Sequence, residues 1–244
     1  MEFLKNHPFA VKTYFENSIV LTYAIAKEEL EGLIPECLTL DTFDDKWAFI
    51  ALAMVNTKGL RPKGFPKFMG NNFFLIGYRV FVRYTDKSGK RLRGLYILKS
   101  ETNKHKMSFF GNIFTHYNYT TTDITYDNED SNLTISSKKS GLNVVMDINQ
   151  DGVPLPNGSP FREWKEARRF AGPLPFTFTY NKEKKEVLII EGVRQNWKPV
   201  PLAVKKAEVG FLKTKHFKNI ILANAFVVSN VPYYWKKGKI EAWS

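Results

Sequence analysis

Residues 72–101, NFFLIGYRVFVRYTDKSGKRLRGLYILKSE, contain two apolar runs separated by a short polar one. Both runs, 72–85 and 91–101, are rich in β-branched and aromatic residues, which favour strands. The intervening DKSGK, residues 86–90, combines Asp, Ser and Gly, which are residue types that form tight turns. The stretch therefore predicts a long β-hairpin.

Strand-like segments recur along the rest of the chain, separated by turn signals such as NEDSN, KKSG and NKEKK. They are residues 46–56, 118–127, 132–138, 142–149, 174–181, 185–194, 204–212, 222–230 and 238–243. Short strands at this regular spacing predict a barrel or strongly bent sheets. No repeat, low-complexity tract or long linker divides the chain, so residues 1–244 are expected to form a single domain.

Three short helices are predicted between the strands, at residues 26–36, 104–117 and 159–170. The third has Ser159 as a candidate N-cap and Pro160 at the first helical position, an arrangement favoured at helix starts. The second spaces its large apolar residues at three- and four-residue steps, so that one stripe can press onto a sheet. Those residues are Met107, Phe110, Phe114 and Tyr117. The predicted fold class is therefore α+β and mainly β.

Composition limits the classes of protein and of partner. With 43% hydrophobic and 15% aromatic residues, the chain has enough apolar surface to fold, which excludes a disordered protein. Thirty-six Lys and Arg against twenty-four Asp and Glu give a formal charge of +12. That excess favours anionic partners, namely carboxylates, phosphates, nucleic acid or an acidic membrane face.

Few features indicate a compartment or a metal. Cys37 is the only cysteine, so an internal disulfide is excluded and a reducing compartment is expected. The sequence shows neither a signal-peptide pattern nor an apolar run long enough to span a bilayer, so a cytoplasmic protein without a membrane partner is expected. The four histidines have no metal-ligand spacing with other ligands, and neither a metal nor another cofactor is predicted.

The connector between the second run and the following helix carries the densest group of polar residues. A strand ending near Ser100 and a helix beginning near Lys104 would project Glu101, Thr102 and Asn103 from one end of the sheet. Lys104 would then lie at the positive end of the helix dipole, followed by His105 and Lys106. Desolvation and neighbouring cations both favour a neutral amine, the form that attacks a carbonyl to give a Schiff base.

The bland alternative is that this connector is simply a solvated loop. A second alternative comes from two basic regions, residues 58–67 (KGLRPKGFPK) and residues 198–218, which could engage nucleic acid if cations and aromatics shared one face. Because most aromatics fall at alternating or helical positions, they are expected to fill the core, and nucleic acid is the less favoured partner.

Several segments, taken in order, resemble a known superfamily. They are YAIAKEELEGLIPECLTLDTFDDKWAFIALAM, KGLRPKG, RGLYILKSETNK, NWKPVPLAVKKAEV and VPYYWKKGKIEAW. Their order is similar to that in the acetoacetate decarboxylase-like superfamily, in particular its YqjF-like branch of uncharacterised proteins. The resemblance covers nearly the whole chain and implies one α+β domain around a large, bent, mostly antiparallel, barrel-like sheet with an internal cavity.

In the decarboxylases of that superfamily, a cavity lysine forms a Schiff base with a β-keto acid, and a second lysine follows it. By its distance from the ALAM segment, Lys104 matches the first, and His105 stands in the second position. The match is incomplete, because Asn103 replaces a proline, Glu16 stands near the expected arginine, and Phe65 stands near the expected glutamate. The resemblance therefore carries the fold and leaves the activity open.

These observations together predict a cavity that binds a small organic molecule, expected to be anionic. Lys104 would be the amine nucleophile, His105 or Lys106 its charge neighbour, and Glu101 a hydrogen-bonding or proton-transfer group. The remaining ligand-binding candidates are Lys99, Lys106 and Asn103. A non-catalytic binder with the same pocket, and a basic surface for nucleic acid or acidic protein, stay open as alternatives.

Overall fold

The structure, a computed structural model, describes residues 2–129, 131–148, 152–170 and 174–243. Strands dominate, as predicted. They are β1 Val11–Ala26, β2 Thr39–Leu40, β3 Trp47–Pro62, β4 Asn71–Thr85, β5 Arg91–Thr102, β6 Tyr119–Thr121, β7 Thr125–Glu129, β8 Asn132–Ser137, β9 Leu142–Asp147, β10 Phe176–Asn181, β11 Glu186–Arg194, β12 Val200–Pro201, β13 Ala203–Val209, β14 Ile220–Trp235 and β15 Lys239–Ala242. The helices are α1 Glu2–Lys5, α2 Lys27–Glu31, α3 His105–Phe114, α4 Trp164–Phe170 and α5 Gly210–Lys213, with a 3₁₀ turn at Lys67–Met69.

Eleven strands form one large sheet, whose main path runs β12-β14-β1-β3-β4-β5-β10-β11-β15. The pairs are antiparallel except for β5 with β6 and with β10, which are parallel. Strand β11 also pairs with β14, through Gly192–Arg194 opposite Tyr233–Trp235. This extra pairing joins β14, β1, β3, β4, β5, β10 and β11 into a ring of hydrogen-bonded strands.

The predicted hairpin is confirmed, because β4 and β5 pair in register from Leu75 opposite Thr102 to Thr85 opposite Arg91. A β-bulge between Tyr78 and Arg79 interrupts the pairing. Strand β1 was not predicted from its residues. Positions 18–25 are all buried, so the apolar and polar alternation that reveals a half-exposed strand is missing there.

The two faces of the large sheet pack against different layers. Ile76, Tyr78 and Val80 of β4 face the four-stranded sheet β13-β9-β8-β7 and belong to the larger apolar cluster. Leu75 and Phe81 point the opposite way, into a second cluster that includes Ala167 and Phe170 of α4. We call these the first and second faces. Any side chain of β4 therefore reaches only one of two separate environments.

The helices are shorter than predicted. Helix α3 ends at Phe114, whereas the prediction extended to residue 117. Helix α4 begins at Trp164, so Ser159 is not its N-cap. The Ser159 hydroxyl instead donates to the Ala223 carbonyl at 2.7 Å and accepts from the Phe161 amide. Residue 149, at the end of one predicted strand, lies outside the described residues.

A buried carboxylate clamps the β4–β5 hairpin. Arg83 and Arg93 are register partners on the two strands, which places two cations side by side. Asp41, which is fully buried, accepts from Arg83 Nε at 2.7 Å and from Arg93 Nε at 2.7 Å, and both Nη2 atoms also contact it. Each arginine thus contacts one carboxylate oxygen through two nitrogens, so both oxygens are satisfied and the repulsion between the arginines is offset.

Cys37 is buried and free. Among the described residues, no helix is both long and apolar enough to cross a membrane.

The free energy of unfolding is expected to depend on pH through the buried imidazole of His7. Burial lowers the pKa of its imidazole from 6.5 to about 4, and its Nε2 has no hydrogen-bond partner among the described residues. The folded state therefore binds this proton less tightly than the unfolded chain, so stability falls as the pH drops from about 6.5 towards 4. A tenfold difference in proton affinity is worth about 1.4 kcal/mol, which gives a loss of about 3 kcal/mol.

Urea unfolding at pH 7 and at pH 4 would measure this effect, with His7→Asn as the matched variant. Asparagine is chosen because His7 has a positive φ of 51°, which Asn tolerates. The wild type and His7→Asn contain the same carboxylates, so the carboxylate contribution to the pH dependence cancels when the two are compared. An equal loss of stability in wild type and His7→Asn would show that His7 makes no contribution.

Candidate functional site

Lys104 lies at the start of the helix that follows β5, as predicted, but its environment differs from the predicted one. Strand β5 ends at Thr102 and α3 begins at His105, with Lys104 as the N-cap residue. Asn103, Lys104, His105 and Lys106 are all exposed. The expectation that Lys104 lies in a water-excluded cavity is therefore wrong, because bulk water can hydrate its ammonium group.

Asn103 has a structural contact. Its side-chain oxygen accepts from the Phe74 backbone amide at 2.9 Å, which fixes the connector against β4. Of the six candidates, only Glu101 and Lys99 are brought together. Their Oε1 and Nζ atoms form an ion pair at 2.7 Å on the first face of the sheet.

Glu101 is buried and has a full set of partners. Besides Lys99, its Oε1 accepts from the Ser140 hydroxyl at 2.8 Å, and its Oε2 accepts from the Tyr78 hydroxyl at 3.3 Å. Burial, followed by the Glu101 charge, raises the pKa of Tyr78, which stays a neutral donor. These contacts join β4 and β5 to the turn between β8 and β9, so the arrangement ties two sheets together.

A different cationic group occupies the second face. Arg79 lies on β4 in the middle of a buried strand, directly after the register shift at which Leu98 is the extra residue on β5. Its guanidinium folds back over Gly77, two residues earlier on the same face. A Cβ atom on Gly77 would lie 2.9 Å from Arg79 Nε, so the glycine leaves the space that the guanidinium fills.

The charge of Arg79 is poorly compensated. Desolvation is the largest influence and lowers its pKa, and the nearby Arg194 lowers it further, while Tyr233, Tyr119 and Tyr117 act in the opposite direction. Within the part of the chain that the structure describes, no Asp or Glu forms an ion pair with Arg79. Arginines in protein interiors are ordinarily paired, which makes this one conspicuous.

Arg194 is the second cation of the cluster and lies where β11 closes the ring against β14. Its Nη2 donates to the Leu174 carbonyl at 2.7 Å, and its guanidinium carbon lies 4.7 Å from the Trp197 ring centroid and 5.3 Å from that of Tyr233. Its Nε is buried and has no hydrogen-bond partner among the described residues. One donor of this guanidinium is therefore unsatisfied.

Tyrosine hydroxyls supply the uncharged polar groups around Arg79. Burial raises the pKa of Tyr119 to about 12 and raises that of Tyr117 as well, so both stay protonated donors at neutral pH. The Tyr119 ring packs on Gly111 of α3, and a side chain at Gly111 would collide with it. In the same way, the Tyr233 hydroxyl lies over Gly192. Because Gly111 and Gly192 have no side chain, Tyr119 and Tyr233 can occupy the space above them and reach the cluster.

We call Arg79, Arg194, Tyr117, Tyr119 and Tyr233 the Arg79 cluster. Sequence reasoning missed it, although one signal was present. In NFFLIGYRVFVRYT an arginine interrupts a run of apolar residues, two positions after a glycine. A cation within a buried strand that has no acidic residue near it in sequence is worth treating as a candidate binding group.

Comparison with solved structures identifies the fold. The model of the DUF2071 family, described as "Uncharacterized conserved protein (COG2071)", matches residues 13–231. Acetoacetate decarboxylase from Legionella pneumophila aligns with a TM-score of 0.61 at 13% identity, covering 95% of this chain and 87% of that one. No curated protein sequence matches.

Two further structures share the fold. The enduracididine biosynthesis enzyme MppR, complexed with pyruvate, aligns with a TM-score of 0.56 at 7% identity, covering 96% of this chain and 90% of that one. An acetoacetate decarboxylase-like enzyme from Sphingomonas wittichii RW1 aligns with a TM-score of 0.51 at 10% identity, covering 96% and 91%. The predicted resemblance is confirmed: the chain belongs to the DUF2071 family of uncharacterised conserved proteins and has an acetoacetate decarboxylase-like fold.

Proposed function

We propose that this protein binds a small organic carboxylate at the Arg79 cluster. The observation that carries the proposal is the half-buried Arg79 guanidinium, which lies over Gly77 and forms no ion pair with a described carboxylate. Leaving a charge unpaired in the protein interior is costly, and a bound anion would remove the cost. The site is therefore expected to be more favourable when occupied than when empty.

The surroundings of Arg79 strengthen its attraction for an anion. The residue is half-buried, and desolvation is the largest influence on its pKa. Where water is partly excluded the local dielectric is lower, so attraction between a guanidinium and a carboxylate exceeds that at an open surface.

The chemistry of the cluster suits a carboxylate. The planar fork of a guanidinium matches the two oxygens of a carboxylate in a bidentate contact. Neutral tyrosine hydroxyls can donate to a carboxylate or to a ketone oxygen. Similarity to acetoacetate decarboxylase and to MppR, whose structure contains pyruvate, supports small keto acids as first candidates.

Thermal unfolding with pyruvate, acetoacetate and the uncharged methyl ester of pyruvate would test the proposal. A ligand that binds only the folded state stabilises it by about 2.7 kcal/mol at a hundred times its Kd. We expect the two acids to raise the Tm of the wild type and the ester to leave it unchanged. Equal shifts with acid and ester, or no shift with either acid, would contradict carboxylate recognition.

A Schiff-base role for Lys104 stays a prediction from sequence, and the exposure of this lysine argues against it. Borohydride reduction in the presence of pyruvate or acetoacetate would trap an imine as a stable mass increase. We expect no adduct on Lys104 beyond that on Lys106, its exposed neighbour. Selective labelling of Lys104 would restore the catalytic hypothesis, and carboxylate binding without labelling would support a non-catalytic binder.

A further inference from the structure

We infer that one end of the large sheet docks on the surface of an anionic lipid bilayer. The docking surface consists of the β3–β4 loop, residues 63–70, and helix α3 with its N-cap Lys104. The loop and the helix contain no residue of the Arg79 cluster, although Tyr233 of that cluster also lines the groove beside the loop. The inference assigns a role to the lysine-rich and phenylalanine-rich stretch after β5 that the candidate site does not use.

The two segments lie at the same end of the sheet. In the β3–β4 hairpin, Leu60 is opposite Asn71, so the connecting loop projects from that end. Strand β5 leaves the sheet at the same end, where Thr102 is opposite Leu75. The Asn103 side chain then holds the start of the α3 connector against the Phe74 amide.

Both segments expose large apolar side chains that a folded protein ordinarily buries. In the loop, the exposed fractions are 88% for Phe68, 49% for Phe65 and 48% for Met69. On α3 they are 64% for Phe109 and 41% for Phe110. Of the twelve large apolar residues that are exposed in the described part of the chain, five lie in these two segments, including the two most exposed, Phe68 and Phe109. Such a concentration marks an interaction surface.

Helix α3 has the reverse of the usual surface pattern. A surface helix of a globular protein directs polar residues to solvent. Here the exposed positions are His105, Lys106, Phe109, Phe110 and Asn112, so basic and aromatic residues share the outer stripe. This combination is typical of helices that lie in the interface of a membrane.

The charge around the loop fits an anionic surface. The sequence contains no Asp or Glu between Asp45 and Asp86. Over the same stretch Lys58, Arg61 and Lys67, together with Lys12, line an open groove of about 680 Å³ beside the loop. Lys58 forms an ion pair with Glu16 at 3.5 Å, whereas Lys63 and Lys67 form no ion pair with a described residue.

The loop is held in shape by its own contacts. Arg61 donates from Nε to the Phe65 carbonyl at 3.2 Å and from Nη1 to the Gly59 carbonyl at 2.8 Å. The Met69 amide donates to the Pro66 carbonyl and the Gly70 amide to that of Lys67. The Phe68 side chain therefore projects from an ordered turn, so little conformational entropy would be lost on insertion.

A bilayer fits these observations better than the other occupants. A second copy would bring two cationic surfaces of a +12 protein together, which is electrostatically unfavourable. Single-stranded nucleic acid would require flat aromatic rings along a groove, whereas the loop presents Phe and Met at a protruding tip. Acyl chains accept both side chains without a geometric requirement, and anionic headgroups pair with the surrounding lysines.

Co-sedimentation with phosphatidylcholine vesicles, with and without phosphatidylserine, tests the inference on the full chain. We expect binding only to vesicles that contain phosphatidylserine. Phe68→Ser and Phe109→Ser, which keep the charge, should each weaken partitioning about tenfold or more. Lys67→Gln should weaken it about fivefold, and added salt should weaken it further.

The matched control is Ile220→Ser, which removes an exposed apolar side chain at the other end of the sheet and should partition as the wild type does. Because all four positions are exposed, the variants are expected to remain folded, which circular dichroism can verify. Absence of binding to either vesicle, or equal binding to both, would overturn the inference. The inference would also be overturned if the protein did not bind vesicles and Phe68→Ser abolished either dimer formation or binding of single-stranded DNA.

Discussion

Replacing Arg79 by Met is expected to make the protein more stable and to abolish its affinity for small carboxylates. The side chains have similar lengths, but Met needs no hydration and suits the apolar second face. Replacing buried charged groups by apolar residues of similar volume has stabilised other proteins by about 1–4 kcal/mol. For a protein of this size, 1 kcal/mol corresponds to about 2–4 °C in Tm.

The loss of binding has the same origin as the gain in stability. Removing one partner of a buried, hydrogen-bonded charge pair costs about 2–5 kcal/mol, so affinity should fall at least about thirtyfold. Because arginine stays protonated in proteins, both effects are expected at every assay pH. Thermal unfolding and calorimetric titration with pyruvate would measure them.

Two variants make the Arg79 comparison specific. Arg91→Met removes an exposed arginine from the start of β5 and should change neither quantity. Arg79→Lys keeps the charge but loses the bidentate fork, so it should weaken binding without the gain in stability. If Arg79→Met instead destabilises the protein, the arginine is satisfied in the empty state and the proposed reason for binding disappears.

Asp41→Ala is expected to produce the largest loss of stability, about 3–5 kcal/mol. Asp41 is fully buried and is the shared partner of Arg83 and Arg93. Without it, two half-buried guanidinium groups lie opposite each other across the hairpin with no anion between them. Breaking a buried ion pair by removing one partner has a cost of this size.

The control for Asp41 is Asp45→Asn, because Asp45 has a positive φ of 49°, which Asn tolerates. Asp45 also forms an ion pair, with Lys27 at 2.7 Å, but 85% of its side chain is exposed. Exposed pairs contribute about 0–1 kcal/mol, so this variant should be close to the wild type in urea unfolding. Similar losses in the two variants would show that the clamp does not hold the hairpin.

Local sequence patterns predicted the parts of the fold that local physics determines. The hairpin followed from two apolar runs and a turn, and β4 and β5 lie within one residue of those runs. Strand β1 was not predicted because its buried positions 18–25 show no alternation of apolar and polar residues. Helix α4 starts late because Ser159 makes its hydrogen bond to Ala223, a residue far away in sequence.

The candidate site was predicted less well because it depends on which face each side chain occupies. Glu101 and Lys99 alternate along β5 and meet on the first face, as their spacing allows. The start of α3 next to Lys104 was predicted, and the exposure of the connector agrees with the solvated-loop alternative and not with a buried Schiff-base lysine. The Arg79 cluster brings together residues from β4, β11, β14 and the segment after α3, which only the closed ring of strands makes neighbours.

A crystal structure grown with pyruvate would test carboxylate binding most directly. We expect a carboxylate at the Arg79 cluster, with its oxygens about 2.7–2.9 Å from the guanidinium nitrogens of Arg79. A structure in which Arg79 pairs with a carboxylate of the protein itself, or in which pyruvate binds elsewhere and leaves Arg79 without an anion, would contradict it.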